Sequence, residues 1–175
     1  MQINIKTSGE NQAIVTQLTK KLTGGTKENV IARIALGYSL STGKRFTQQE
    51  FSAYDSQGKE YKDHILFDGQ YRDFYIALIC QAYGITKNDE LIPKYIKQHI
   101  DHGLEKINYL FENNPQYTFF DFLTEYFRKG IDMIEDTPER FDCVENRNQH
   151  ITKSVFSGPI KIKVGYNIVT REDIY

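Results

Sequence analysis

The first 42 residues change their hydrophobic period once, and that change constrains what the chain can fold into. Met1–Thr7 alternates with period two. Ile3 and Ile5 fall on one face and Gln2, Asn4 and Lys6 on the other, the pattern of a half-buried strand. From Ser8 the period lengthens to that of a helix. Ser8 is expected to cap a helix over about Gly9–Leu22, with Ile14, Val15, Leu18 and Leu22 as its apolar stripe. Lys20 and Lys21 sit in its last turn, where cations suit the helix dipole. Gly24-Gly25 breaks this helix, and Thr26 starts a second one that runs to about Leu40. Val30, Ile31, Ile34, Ala35 and Tyr38 form the inward face of that second helix. A short strand cannot bury two isoleucines alone, and the next 35 residues offer it no partner. The expected solution is pairing with the same strand of a second copy of the chain.

Beyond Thr47 the sequence reads as a mostly helical body. Thr47-Gln48-Gln49-Glu50 has capping-box spacing for a short helix, and Glu60–Phe67 follows a turn cluster as an extended segment. Residues 70–83 are expected to form a buried helix closed by Gly84. Asp89 should cap a long helix to about Phe111, with Tyr95, Ile96, His99, Ile100, Leu104, Ile107 and Phe111 on its inner side. Tyr117–Ile134 is a further helix, rich in Phe. The tail returns to period two: Ile160, Ile162 and Val164 alternate with Lys161 and Lys163, predicting a hairpin that turns near Gly165–Asn167. The fold class is therefore mainly α, an N-terminal strand with a helical bundle and a short C-terminal β-hairpin. The expected organisation is a helical domain over 1–134, a polar linker over 135–157 and a β tail over 158–175.

Charge adds a functional hint. The formal net charge is only −1, yet residues 1–45 hold seven bases against two acids. A basic N-terminal third on an acidic body suits a polyanion, because neutralising phosphates releases condensed counterions. A solvated lysine face is the plainer alternative. Two cysteines, Cys80 and Cys143, make no disulfide framework, and no secretory leader is visible, so a cytoplasmic protein is expected. No apolar run approaches the roughly 18–20 residues that span a bilayer.

The strand-helix-helix start resembles the ribbon-helix-helix DNA-binding unit. That resemblance implies that Gln2, Asn4 and Lys6 face base edges in the major groove. It also implies that the start of the second helix, at Thr26-Lys27, holds a backbone phosphate. A wider resemblance covers residues of about 1–132. ENVIARIALGYSLS, FYIALICQAYGI, IPKYIKQHIDHGLE and FDFL, in this order, resemble the DNA sulfur modification protein DndE family. It implies a small, non-catalytic helical protein that assembles into homo-oligomers and belongs to a bacterial phosphorothioation, restriction-modification or related defence system. It further implies binding of duplex or nicked DNA through surface lysines, alongside the other proteins of that system. By position, Lys20, Lys21, Lys27, Lys44 and Arg45 are the candidates. The tail, IKIKVGYNIVTREDIY, is similar to the lead-in of HerA/FtsK-like DNA-translocating ATPases, which implies the alternative of a docking or oligomerisation module for such an ATPase.

Enzyme-like signals are weaker. Gly37–Lys44 has P-loop character but the wrong glycine spacing, with Arg45 where Ser or Thr should bind magnesium. His99, Asp101, His102 and Glu105 have helical spacings compatible with a metal, set against a packed histidine beside a solvated one. Cys80 reads as core, and Cys143 with His150 has no third group. The expectation is no catalytic residue, no metal and no cofactor.

Overall fold

The computed structural model describes residues 2–23, 27–135, 162–164 and 167–169. The elements in order are β1 (Asn4–Lys6), α1 (Gly9–Thr23), α2 (Glu28–Ser41), a 3-10 turn (Gln48–Ser52), β2 (Glu60–Lys62), α3 (Asp63–Leu66), α4 (Arg72–Tyr83), α5 (Ile92–Asn113), α6 (Phe119–Glu135), β3 (Ile162–Val164) and β4 (Asn167–Val169). The chain divides into two compact units, Met1–Phe122 and Leu123–Tyr175. In the second unit β3 and β4 pair antiparallel, with Val164 opposite Asn167, as the period-two tail predicts. The expected linker falls almost entirely outside the described residues, as do Cys143, His150 and the turn at Gly165-Tyr166.

The first unit is built around α5. Twelve of its 22 residues are buried, including the whole predicted inner side from Tyr95 to Phe111. Asp89 Oδ1 accepts the Leu91 N–H (2.8 Å), and Pro93 lies in the first turn, where its missing N–H costs no helical bond. α2 packs most extensively on α5, burying Ile31, Ala32, Ala35 and Leu36. A Cβ at Gly103 would collide with the Ala35 backbone, so glycine is what lets these two helices approach. α1 joins the same core through Val15 and Leu18, and Phe122 at the start of α6 packs against Tyr38 and Phe111.

β1 has the expected alternation: Ile3 and Ile5 are buried, Gln2, Asn4 and Lys6 exposed. Its partner differs from the expectation. β1 pairs antiparallel with β2 of the same chain, Asn4 opposite Lys62, Ile5 opposite Tyr61 and Lys6 opposite Glu60. Buried Tyr61 meets Ile5, and Thr7 extends the contact through its N–H to the Lys59 carbonyl (3.0 Å). The strand's apolar face is thus covered within the chain, in place of the two-chain ribbon.

Ser8 caps α1 as predicted, its Oγ accepting the Asn11 N–H (3.3 Å). The Thr47–Glu50 capping box is present on the 3-10 turn, and Gly84 ends α4 in the left-handed conformation (φ 65°). α4 is less buried than expected: only Ile76 and Ile79 are fully enclosed, and Phe74 is exposed. The stretch expected to be extended to Phe67 turns helical at Asp63. There the Asp63 carboxylate takes both the Arg72 guanidinium (2.9 Å) and the Ile3 N–H (3.3 Å).

Candidate nucleic-acid interface

The fold divides the basic N-terminal third into separate places. α1 alone sets a separation on the order of 20 Å between Lys6, before its start, and Lys20-Lys21 at its end, at 1.5 Å per residue. α2 likewise separates Lys27, at its N-cap position, from Lys44-Arg45 beyond its end. A run of charge along the chain is therefore not one patch in space.

The outer face of α1 is the most uniform of these places. Gly9, Gln12, Ala13, Thr16, Gln17, Lys20 and Lys21 line one open surface with no acid among them, and the Asp55 and Glu28 carboxylates reach its edge at the Gly9 N–H (2.8 Å) and the Thr16 hydroxyl (2.9 Å). The helical period puts these positions on one side because the apolar side, Val15 and Leu18, is turned into the core. Lys21 lies over the Phe111 ring (4.8 Å) with its Nζ 3.5 Å from the Phe111 carbonyl, which orients the side chain without neutralising it. Lys20 is exposed and forms no ion pair among the described residues.

Lys27 is exposed at the start of α2 and makes no side-chain cap hydrogen bond. Thr26, expected to cap this helix, lies outside the described residues. The first turn already holds a carboxylate, Glu28, which bridges to Lys59 (2.9 Å) and accepts the Thr16 hydroxyl (2.9 Å). Against a burial that raises it, the hydrogen bonds from Lys59 and Thr16 hold the Glu28 carboxyl below its usual range. An incoming phosphate at this helix start would meet that negative charge.

Lys44 and Arg45 differ from each other. The Lys44 ammonium forms an ion pair with Glu50 (2.8 Å) and lies over Phe46 (5.0 Å). Hydrogen bonds from Lys44 and from the Thr47 N–H and hydroxyl hold the Glu50 carboxyl down at about 2. Arg45 donates to the Ala82 carbonyl (2.8 Å) and the Lys44 carbonyl (3.0 Å), neutral acceptors that fix its direction and leave its charge whole.

On the ribbon, exposed Asn4 and Lys6 share a groove of about 290 Å³ with Ser56, Glu60, Pro93, Lys94 and Lys97. Gln2 is exposed but does not line it. Lys94 and Lys97 carry no sequence signal of their own beyond lying off the apolar stripe of α5.

The residues read as a conceivable metal site turn to different partners. Asp101 is fully buried: Oδ1 accepts the Ser8 N–H (2.9 Å) and Asn11 Nδ2 (2.8 Å), and Oδ2 meets the Lys97 ammonium (2.8 Å). Glu105 accepts the Tyr54 hydroxyl (2.9 Å). His99 and His102 both face Ser39 Oγ through Nδ1, at 2.7 and 2.8 Å, and His99 Nε2 meets the Tyr83 hydroxyl (2.8 Å). His102 is half-buried, where solvation was expected. No group of three or more His, Cys, Asp and Glu is arranged to hold a metal among the described residues. Gly37 lies inside α2, so its neighbours' N–H groups are committed to the helix instead of a phosphate loop. Cys80 is half-buried in α4. No helix among the described residues is long and apolar enough to cross a membrane.

The family described as DNA sulphur modification protein DndE matches this chain over residues 4–114, the span from β1 to the end of α5. No curated protein matches it. Among solved structures, the chain is similar to a crystal structure of DndE from Escherichia coli B7A, described as involved in DNA phosphorothioation modification. The identity is 15%, with 60% of this chain and 96% of that chain covered and a TM-score of 0.47. The family match stops short of α6 and of the C-terminal hairpin.

Proposed function

The chain belongs to the DndE family of DNA sulphur modification proteins, and from that membership we propose that it is a DNA-binding, non-enzymatic component of a bacterial phosphorothioation system. The observation that supports DNA contact is the outer face of α1. It has no acid among its own residues from Gln12 to Lys21, and its two terminal lysines form no ion pair among the described residues. Lysine ammoniums at the end of a polar strip suit phosphate oxygens as flexible point charges, and the glutamine side chains add neutral donors. Such a surface engages the backbone of duplex or nicked DNA with little sequence preference. In this reading the protein works in the cytoplasm as a homo-oligomer, beside the other proteins of its system. Arg45, with its charge unpaired, is a better contact than Lys44, whose charge Glu50 already answers.

Gel shifts of the full chain on intact and nicked duplex at rising salt test this. Binding at low salt should weaken as log K against log salt, by about 0.9 per phosphate engaged. Lys20→Ala/Lys21→Ala/Lys27→Ala should flatten that slope. No shift at low salt, or a triple variant indistinguishable from wild type, would overturn the proposal.

A further inference from the structure

We propose that the groove between the β1–β2 ribbon and the first turns of α5 is a second, separate contact for the DNA backbone, built on Lys6, Lys62 and Lys94. The proposal rests on the DNA-binding reading above and adds residues that lie at the other end of α1 from Lys20 and Lys21.

Three observations converge on it. First, Lys6 and Lys94 line the groove, and Lys62 stands on the exposed face of the adjoining strand, opposite Asn4. Each of the three is exposed, and none forms an ion pair among the described residues. Second, the fourth lysine, Lys97, is already spent: it is nearly enclosed, held by Asp101 (2.8 Å) and the Tyr54 carbonyl (3.2 Å). It fixes the groove wall and leaves the charge to the other three ammoniums, of which Lys94 lies over the Phe51 ring (5.8 Å). Third, the remaining polar side chains at the groove are the neutral donors Asn4 and Ser56 and one carboxylate, Glu60. Three cations, with Glu60 opposite Lys6 as the one anion, leave the groove net positive among the described residues. Short neutral donors between flexible lysines match the spaced oxygens of a sugar-phosphate backbone.

The same geometry reassigns Asn4 and Lys6. The ribbon-helix-helix resemblance gives these side chains to base edges in the major groove. Here α5 stands beside β1 and contributes Pro93 and Lys94 to the same groove, so the strand face does not project freely. Contact with phosphates needs no such projection. The two basic places lie on the order of 20 Å apart along α1, too far to share one phosphate, so their contributions should add.

The test is the salt dependence of DNA binding by the full chain, with wild type, Lys6→Gln/Lys94→Gln, Lys62→Gln and Glu60→Gln side by side. All four positions are exposed and outside the core, so thermal unfolding should be unchanged. The double variant should bind about tenfold more weakly near 0.1 M salt and lose about 1.8 from the salt slope, 0.9 for each phosphate contact removed. Lys62→Gln should lose half as much slope, and Glu60→Gln should bind more tightly than wild type. Wild type that binds DNA, loses binding through Lys20/Lys21/Lys27 substitution, and keeps its full slope in Lys6→Gln/Lys94→Gln would overturn this groove and leave the α1 reading standing. Wild type that binds no DNA at low salt would overturn both. Weaker binding in Glu60→Gln would overturn the charge argument for the groove.

Discussion

Two buried polar clusters on α5, centred only two residues apart, solve the same problem in opposite ways. At Asp101 the side chain is fully enclosed and keeps an ionic partner, Lys97, with the Ser8 N–H and the Asn11 amide completing its shell. At His99 the side chain is equally enclosed and its hydrogen bonds can be met with every group neutral. The Phe46 N–H donates to the Tyr83 hydroxyl (3.0 Å), which in turn meets His99 Nε2 (2.8 Å). One neutral arrangement satisfies every contact: the Tyr83 proton on His99 Nε2, the His99 Nδ1 proton on Ser39 and the Ser39 proton on His102 Nδ1. One cluster ties α1 to α5 through neutral donors on a carboxylate whose ionic partner is on α5 itself. The other ties α2 and α4 to α5 by an ordered chain of neutral donors. A buried charge is strong only while its partners remain, whereas the neutral chain fails when a proton is added.

The largest expected effect breaks the ionic side. Asp101→Ala removes the acceptor for Ser8, Asn11 and Lys97 together and leaves a nearly enclosed ammonium without its carboxylate. Urea unfolding should show a loss of about 3–5 kcal/mol, the range for breaking a buried pair. A loss below about 1 kcal/mol would mean that water replaces the carboxylate freely, and that its charge does not hold α1 to α5.

The neutral side should respond less. Ser39→Ala deletes the hydroxyl that joins the two imidazoles and strands the His99 Nδ1 inside the seam. The expected cost is about 1–3 kcal/mol for an unsatisfied buried group. Nitrogen-15 spectra of the histidines give a second readout. His102 should lose its fixed tautomer in the variant, and an unchanged His102 pattern would show that Ser39 does not order the chain.

These two clusters also mark where sequence reasoning reaches and where it stops. The apolar and aromatic inner side of α5 from Tyr95 to Phe111 was legible, because its seven positions repeat with the helical period, while buried Gln98, Asp101, Gly103 and Asn108 carried no such signal. Ser8 and the Thr47–Glu50 box were legible for a similar reason, since capping acts within four residues. The partner of β1 was not. It is three residues long and lies more than fifty residues onward, and only Tyr61 in it is apolar, so no alternation can show. The buried role of Asp101 was not legible either, because Ser8 and Asn11 approach it from about ninety positions away. Only Lys97, four residues earlier, gave a local clue. The basic third was legible as a charge count but not as a surface. The capping residue Glu50 also neutralises Lys44, and the lengths of α1 and α2 carry the other cations apart.

The smallest effect sharpens the contrast through pH. Burial first, then the charges of His102, Arg45 and Lys44, press His99 down from 6.5 to about 3, and burial with Lys106 and Lys44 lowers His102 as well. Above pH 6.5 both states of the protein hold these rings neutral, and nothing is gained or lost. Between 6.5 and about 3 the unfolded chain takes up protons that the folded chain refuses, so stability falls as pH falls. At pH 5.5, one pH unit below the unfolded value, His99 alone should cost about 1.4 kcal/mol, with His102 adding in the same direction. The lowered carboxylates, Glu28, Glu50, Asp55 and Asp121, act at lower pH and in the same sense, while Glu105, raised chiefly by burial, acts in the opposite sense. Urea midpoints at pH 7.0, 6.0 and 5.5 should therefore decline in wild type and flatten in His99→Gln, whose amide keeps a donor and an acceptor but takes up no proton. A wild-type profile that stays level, or a His99→Gln profile as steep as wild type, would mean that the rings accept protons inside the fold. The neutral chain from Tyr83 to His102 would then not be what holds that end of the seam.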